Sequence, residues 1–117
     1  MEFFNISEFD SPDEKGSGIM MNQGFLQMLD EARRIASVAF KITSGYRTKS
    51  HNKSVGGVSD SSHIKGLAVD IRCSDSRNRS IIVTSLIKAG FTRIGIAKSF
   101  IHVDNDMDKS QNVIWVY

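Results

Sequence analysis

The sequence predicts an α+β fold, a small and mainly antiparallel sheet with helices packed on one face. Two stretches repeat apolar residues at helical spacing, and five short stretches alternate or run apolar in the manner of strands. Their order is helix, strand, long loop, strand, helix and then three strands, with no internal repeat. At 117 residues this is one domain, 1–117, because a single core is typically built from ~100–150 residues and no length remains for a second.

The aromatic-rich FFNISEF of residues 3–9 and the loop-like SPDEKGSG behind it read as an N-terminal arm that packs its rings on the body and then turns away. From Asn22, a helix N-cap, NQGFLQMLDEARRIASV sets Phe25, Leu29, Ala32 and Ala36 on one stripe with Met28 and Ile35 beside it, a core-facing stripe. AFKITSGYR alternates Phe40, Ile42 and Ser44 against Lys41 and Thr43, so a strand of about five residues ends near Gly45. TKSHNKSVGGVSDSS has no sustained apolar period and reads as a long irregular connection, a usual place for function.

LAVDIRC returns to strand. SDSRNRSIIVTSLIKAGF opens with capping serine and aspartate, spaces Ile82, Leu86 and Ala89 as a helix does, and stops at Gly90. Two strands follow, Arg93 to Ala97 and Phe100 to Asp104, joined by a tight turn at Lys98 and Ser99. VIWVY is the last strand, and Trp115 and Tyr117 read as core and sheet edge in preference to a substrate platform.

Composition excludes several classes of function. The 15 basic and 13 acidic residues are interspersed and leave a net charge of only +2, without the basic stripe that neutralises phosphates, so no nucleic-acid partner is expected. The single cysteine, Cys73, forms no internal disulfide, and its odd offset from Asp70 along a strand turns it to the opposite, buried face. No window approaches the ~20 apolar residues of a membrane span, and MEFFNISEFDSPDEKG lacks a basic leader before an apolar run. A protein made in the cytoplasm, without a membrane partner and as a monomer, is expected.

The chemistry concentrates in three side chains. In SSHIKGLAVDI, residues 61–71, His63 and Asp70 stand towards the two ends of a strand segment, and His102 lies in the later strand FIHVD. Two neutral imidazoles and a carboxylate make a zinc shell whose fourth position stays with water, the arrangement that separates catalytic from structural zinc. The spacing from His63 to Asp70 is unspecific by itself, since it lacks the short helical interval of HExxH.

The wider pattern is specific. SGYRTKSHNKSVGGVSDSSHIKGLAVDI followed by FIHVD resembles the family of zinc D-alanyl-D-alanine carboxypeptidases and L-alanyl-D-glutamate endopeptidases, which shares its fold with the Hedgehog amino-terminal domain and includes phage endolysins. The resemblance runs through nearly the whole chain. It implies that SxHxxGxAxD, matched by Ser61, His63, Gly66, Ala68 and Asp70, supplies two zinc ligands and that His102 supplies the third. It also implies that Arg47 of SGYR faces the substrate, where a guanidinium binds a peptide carboxylate or the oxyanion formed during attack. Ser61 either donates to substrate or caps the turn before His63.

Amide hydrolysis at such a metal needs a carboxylate to take the proton of the bound water. Many relatives place an acid three residues before the last histidine, where this chain has Ser99. Asp104 shares the face of His102 on a strand and is the replacement; it otherwise orients a ligating imidazole or caps the strand. Asp106, Asp60 and His51 are weaker candidates, and His51 reads as an exposed loop residue. The resulting expectation is a one-zinc peptidase that cuts peptidoglycan stem peptides, of phage or bacterial origin. A catalytically silent, metal-bearing domain that binds a peptide or protein in the same cleft is the competing expectation.

Overall fold

A computed structural model describes all of residues 1–117 and shows helices α1 (Gln23–Ala36), α2 (Lys49–Ser54) and α3 (Ser76–Lys88) with strands β1 (Ile42–Ser44), β2 (Ala68–Arg72), β3 (Arg93–Ile96), β4 (Phe100–Asp104) and β5 (Val113–Val116). The sheet order is β1-β2-β4-β3-β5. Every neighbouring pair is antiparallel except β3 and β5, which run parallel. The mainly antiparallel sheet with helices on one face is therefore the observed architecture.

Period-two alternation gives the sheet two different faces. Val69, Ile71, Ile94, Ile101 and Val103 point to one side, pair across strands and are fully buried. Helices α1 and α3 cover that side. Asn22 begins α1 by accepting the Phe25 N–H at 2.9 Å, and Phe25, Leu26, Leu29 and Ala32 are buried along its inner stripe. Asp75 caps α3 in the same way through the Asn78 N–H at 2.9 Å, and its inner residues are Ile82 and Leu86. Each large side chain removed from water here contributes roughly 1.5–3 kcal/mol. Cys73 is buried in this core, on the side away from Asp70.

The other face carries Asp70, Gly95, His102, Asp104 and Trp115, brought into line by the register Asp70 to His102 to Gly95 to Trp115. Two of these positions are charged, so no second layer of apolar packing can form over them.

The N-terminal arm packs its rings as expected: Phe4 is 7% and Phe9 0% exposed. It does not then turn away. Residues 6–9 and 17–20 form 3-10 turns that fold against each other, because the Asp10 carboxylate accepts the N–H groups of Gly16 and Gly18 at 2.9 and 2.7 Å. The arm also presses on the end of β1. A Cβ on Gly45 would lie 2.7 Å from Phe9 Cα, and the Tyr46 N–H donates to Phe9 O at 2.9 Å.

Two further expectations are corrected. The connection after β1 is not wholly irregular, since Thr48 Oγ1 accepts the His51 N–H at 3.0 Å and starts the six-residue α2. One and a half turns are too few to show an apolar period, and Asn52 is the only buried residue of α2. His63 does not stand on a strand: β2 begins at Ala68, and His63 belongs to a turn over residues 62–66.

Candidate metal centre

His63, Asp70 and His102 converge. One ligand atom from each lies within 4.8 Å of the others. Asp70 Oδ1 is 3.4 Å from His63 Nε2 and 2.9 Å from His102 Nδ1, against the ~3.4 Å that separates two ligands each ~2.1 Å from a tetrahedral zinc. Adjacent antiparallel strands supply Asp70 and His102 as direct cross-strand partners. The 62–66 turn brings His63 over them from outside the sheet.

The remaining ring nitrogens decide whether these residues fit an ion. His63 Nδ1 lies 2.8 Å from Gly45 O. A carbonyl only accepts, so Nδ1 carries the proton and Nε2 turns its lone pair toward Asp70. His102 Nε2 lies 2.8 Å from Asp104 Oδ2 and Nδ1 2.9 Å from Asp70 Oδ1, so with the Nε2 proton held by Asp104, Nδ1 faces Asp70 at the place a cation or a second proton would take. Both imidazoles are thus held in the metal-binding tautomer by an acceptor behind them, one of them a carboxylate, as ligating histidines are. The donor set fits a divalent cation.

Its electrostatics agree. Burial pushes the Asp70 carboxyl upward, but hydrogen bonds to His102 and His63 outweigh burial and hold it well below the usual carboxylate range. Burial likewise opposes the charged form of His102, yet Asp104 and Asp70 on its two sides raise its pKa above the ordinary imidazole value. A proton and a cation therefore compete for Nδ1.

Beside the three ligands opens a cavity of about 390 Å³. Arg47 reaches it, with Nη2 3.7 Å from Asp70 Oδ2. Its Nε donates to Ser44 Oγ at 3.1 Å and Nη1 to Asn52 Oδ1 at 3.2 Å, so β1 and α2 together aim the guanidinium. Ser61 lines the cavity and accepts the His63 N–H at 3.2 Å. Both oxygens of Asp104 are engaged: Oδ2 with His102, Oδ1 with Arg93 Nε at 2.7 Å and the Asp106 N–H at 3.1 Å. Burial would raise the Asp104 pKa, but these partners lower it. Of the roles the sequence leaves to Asp104, this geometry accommodates the orientation of His102.

The weaker candidates lie elsewhere. His51 is half-buried on α2, Asp60 is exposed, and Asp106 is buried behind the cavity against Lys65; none of them lines it. Ser99 is exposed in the β3–β4 turn.

Val58, Ser62, Arg93, Phe100 and Lys109 line the cavity without a role in the sequence reading, and Trp115 and Tyr117, read there as core and sheet edge, line it too. Trp115 is not core. It is half-exposed, its ring centroid lies 5.5 Å from that of His102, and Arg93 sits 5.0 Å over its face. Alternation puts Arg93 on the same face as residue 95, but the register that sets these two opposite Asp104 and His102 is seen only in the structure. The acceptor behind His63 is a backbone carbonyl and leaves no mark on the sequence.

No curated protein gives a match to the chain. A protein-family model described as Peptidase M15 matches residues 4–104, from the N-terminal arm to the last residue of β4. All three ligand side chains fall inside that span, which leaves out β5. With most of its length matched, the chain belongs to the peptidase M15 family of metal-dependent peptidases, and His63, Asp70 and His102 form a group that could hold the metal.

Proposed function

We propose that this protein is a zinc-dependent peptidase that hydrolyses peptide bonds in peptidoglycan stem peptides. The observation that carries the reading is the pairing of tautomers: His63 and His102 each have one nitrogen tied back and the other directed at Asp70. A bound divalent ion supplies a Lewis acid and a water of lowered pKa.

The chain's own residues would hold that ion and the substrate. Gly45 O and Asp104 hold the two imidazoles, and Asp70 contributes the negative charge that selects a cation. Arg47 points a guanidinium into the cavity, where it receives a substrate carboxylate or the oxygen of the scissile carbonyl. Ser61 stiffens the turn of His63 and borders the substrate. A stem peptide offers the anionic group that Arg47 requires, at its C-terminus or at the D-glutamyl carboxylate. Cleavage by an endopeptidase or a D,D-carboxypeptidase route both use these contacts.

Digestion of purified peptidoglycan by the zinc-loaded protein, followed by mass spectrometry of the muropeptides, tests this. Product masses lower by one stem segment name the bond, and an unchanged muropeptide profile rejects the hydrolase.

One observation favours a second reading. The turn that carries an acid in relatives presents exposed Ser99, and Asp104 has no free oxygen. A domain so equipped would hold metal and bind a wall peptide without turning it over. Saturable binding of a stem peptide with no cleavage product selects that reading.

A further inference from the structure

One wall of the metal cavity is aromatic, and two of its three rings come from outside the family match. Phe100 belongs to β4, whereas Trp115 and Tyr117 lie in and just after β5, beyond residue 104. In the parallel register Trp115 stands opposite Gly95, which itself stands opposite His102. A Cβ on Gly95 would come within 2.6 Å of Trp115 Nε1. The bare strand at Gly95 is thus what lets the indole lie across the sheet and reach the ligand ring.

The shelf is held from behind and open in front. Arg93, paired with Asp104 at 2.7 Å, lies 5.0 Å over the indole and anchors it. Tyr117 extends it, with its ring centroid 5.1 Å from Phe100 and 6.5 Å from Trp115. A ring that merely filled the core would be covered; Tyr117 is 67% exposed and borders the cavity. Across the cavity stand polar groups, Arg47 and Ser61, with the backbone of Gly57. An occupant that satisfies both walls has an apolar side chain on one flank and an anionic group on the other.

We infer that Trp115 and Tyr117 are specificity-determining residues: they form a shelf for the apolar side chain beside the scissile bond, while Arg47 takes the carboxylate of the same substrate. This rests on the peptidase reading above and adds β5 to its machinery. Aromatic rings offer a large apolar surface with few rotatable bonds, so an apolar side chain laid on them is held at little entropic cost. They act on binding rather than on the reacting atoms, so they govern KM and leave kcat nearly alone.

Trp115 is the only tryptophan, and its emission therefore reports the cavity directly. The probe is a soluble stem pentapeptide carrying both the L-alanyl-D-glutamate and the D-alanyl-D-alanine links, titrated into zinc-loaded protein. A saturable change in emission is expected. Tyr117→Ala should raise Kd and KM ~3–10-fold, the worth of one aromatic contact, with kcat within ~2-fold and zinc affinity unchanged. Tyr117→Phe should restore the wild-type values, because the ring and not the hydroxyl carries the contact. If wild type cleaves the peptide and Tyr117→Ala keeps KM and the emission response, the shelf is overturned alone. If wild type neither binds nor cleaves it, the peptidase reading falls and the shelf with it. Binding weakened by Tyr117→Ala without any turnover supports the shelf and selects the binding-only reading.

Discussion

Replacing Asp106 with asparagine removes a charge where the segment after β4 is tied to the turn that carries His63. Asp106 is 1% exposed. Its oxygens accept from Lys65 Nζ at 2.9 and 3.1 Å, from Ser62 Oγ at 2.8 Å and from the Asp108 N–H at 3.1 Å. Burial pushes this carboxyl upward, yet Lys65 and Ser62 more than offset it and bring its pKa from 3.8 to about 2. At ~1.4 kcal/mol per pKa unit, that difference contributes about 2 kcal/mol at neutral pH. Because the folded value is the lower one, the contribution is complete above the unfolded pKa of 3.8 and disappears as pH falls through about 2.

Urea unfolding of chelator-treated wild type and Asp106→Asn, run at pH 7 and again at pH 2.5, measures it. The variant should be less stable by about 2 kcal/mol at pH 7 and by well under half of that at the lower pH. A gap of the same size at both pH values would show that the cost is one of shape and not of charge, and the reasoning would be wrong. The variant's metal affinity at pH 7 should fall as well, since Ser62 and Lys65 flank His63.

Other substitutions probe the centre and the core. Asp104→Asn removes the acceptor of the His102 Nε2 proton and should weaken zinc binding ~10–100-fold in competition with a chelating dye. The logarithm of zinc affinity should begin to fall with decreasing pH at a value above the ordinary 6.5 of imidazole, because Asp104 and Asp70 raise the pKa of His102 and the proton competes for Nδ1; a break below 6.5 in affinity plotted against pH would contradict this. Gly95→Ala drives a methyl group into Trp115 and should cost ~1–3 kcal/mol in chemical unfolding, with a displaced tryptophan emission maximum. Phe25→Ala empties the centre of the α1 stripe, where Phe25 meets Phe91 at 5.6 Å between centroids, and should cost ~3–5 kcal/mol.

A strict period made the core legible in the sequence, whereas the candidate ligands His63, Asp70 and His102 were legible only through the SxHxxGxAxD and FIHVD pattern. Phe25, Leu29 and Ala32 recur as a helix requires, and Val69 and Ile71 alternate with Asp70 as a strand requires. What escaped it depends on neighbours distant along the chain. The parallel pairing of β5 with β3 is a long-range choice, and it puts Trp115 on the edge strand with its ring beside His102 and not in the core. The acceptor of His63 is the carbonyl of Gly45, and any residue type has a carbonyl. The engagement of Asp104 by Arg93 follows from a cross-strand register that periodicity does not fix.

The position of Gly45 ties the two ends of this architecture together. On one side its backbone is wedged against Phe9; on the other its oxygen suspends the His63 imidazole. Fraying at the start of the polypeptide and release of a bound cation are therefore two symptoms of a single loosening. Cation occupancy should lock the arm in place, so the opening ten residues behave as a distant clasp on the chemistry and would cease to protect their amides once that clasp springs.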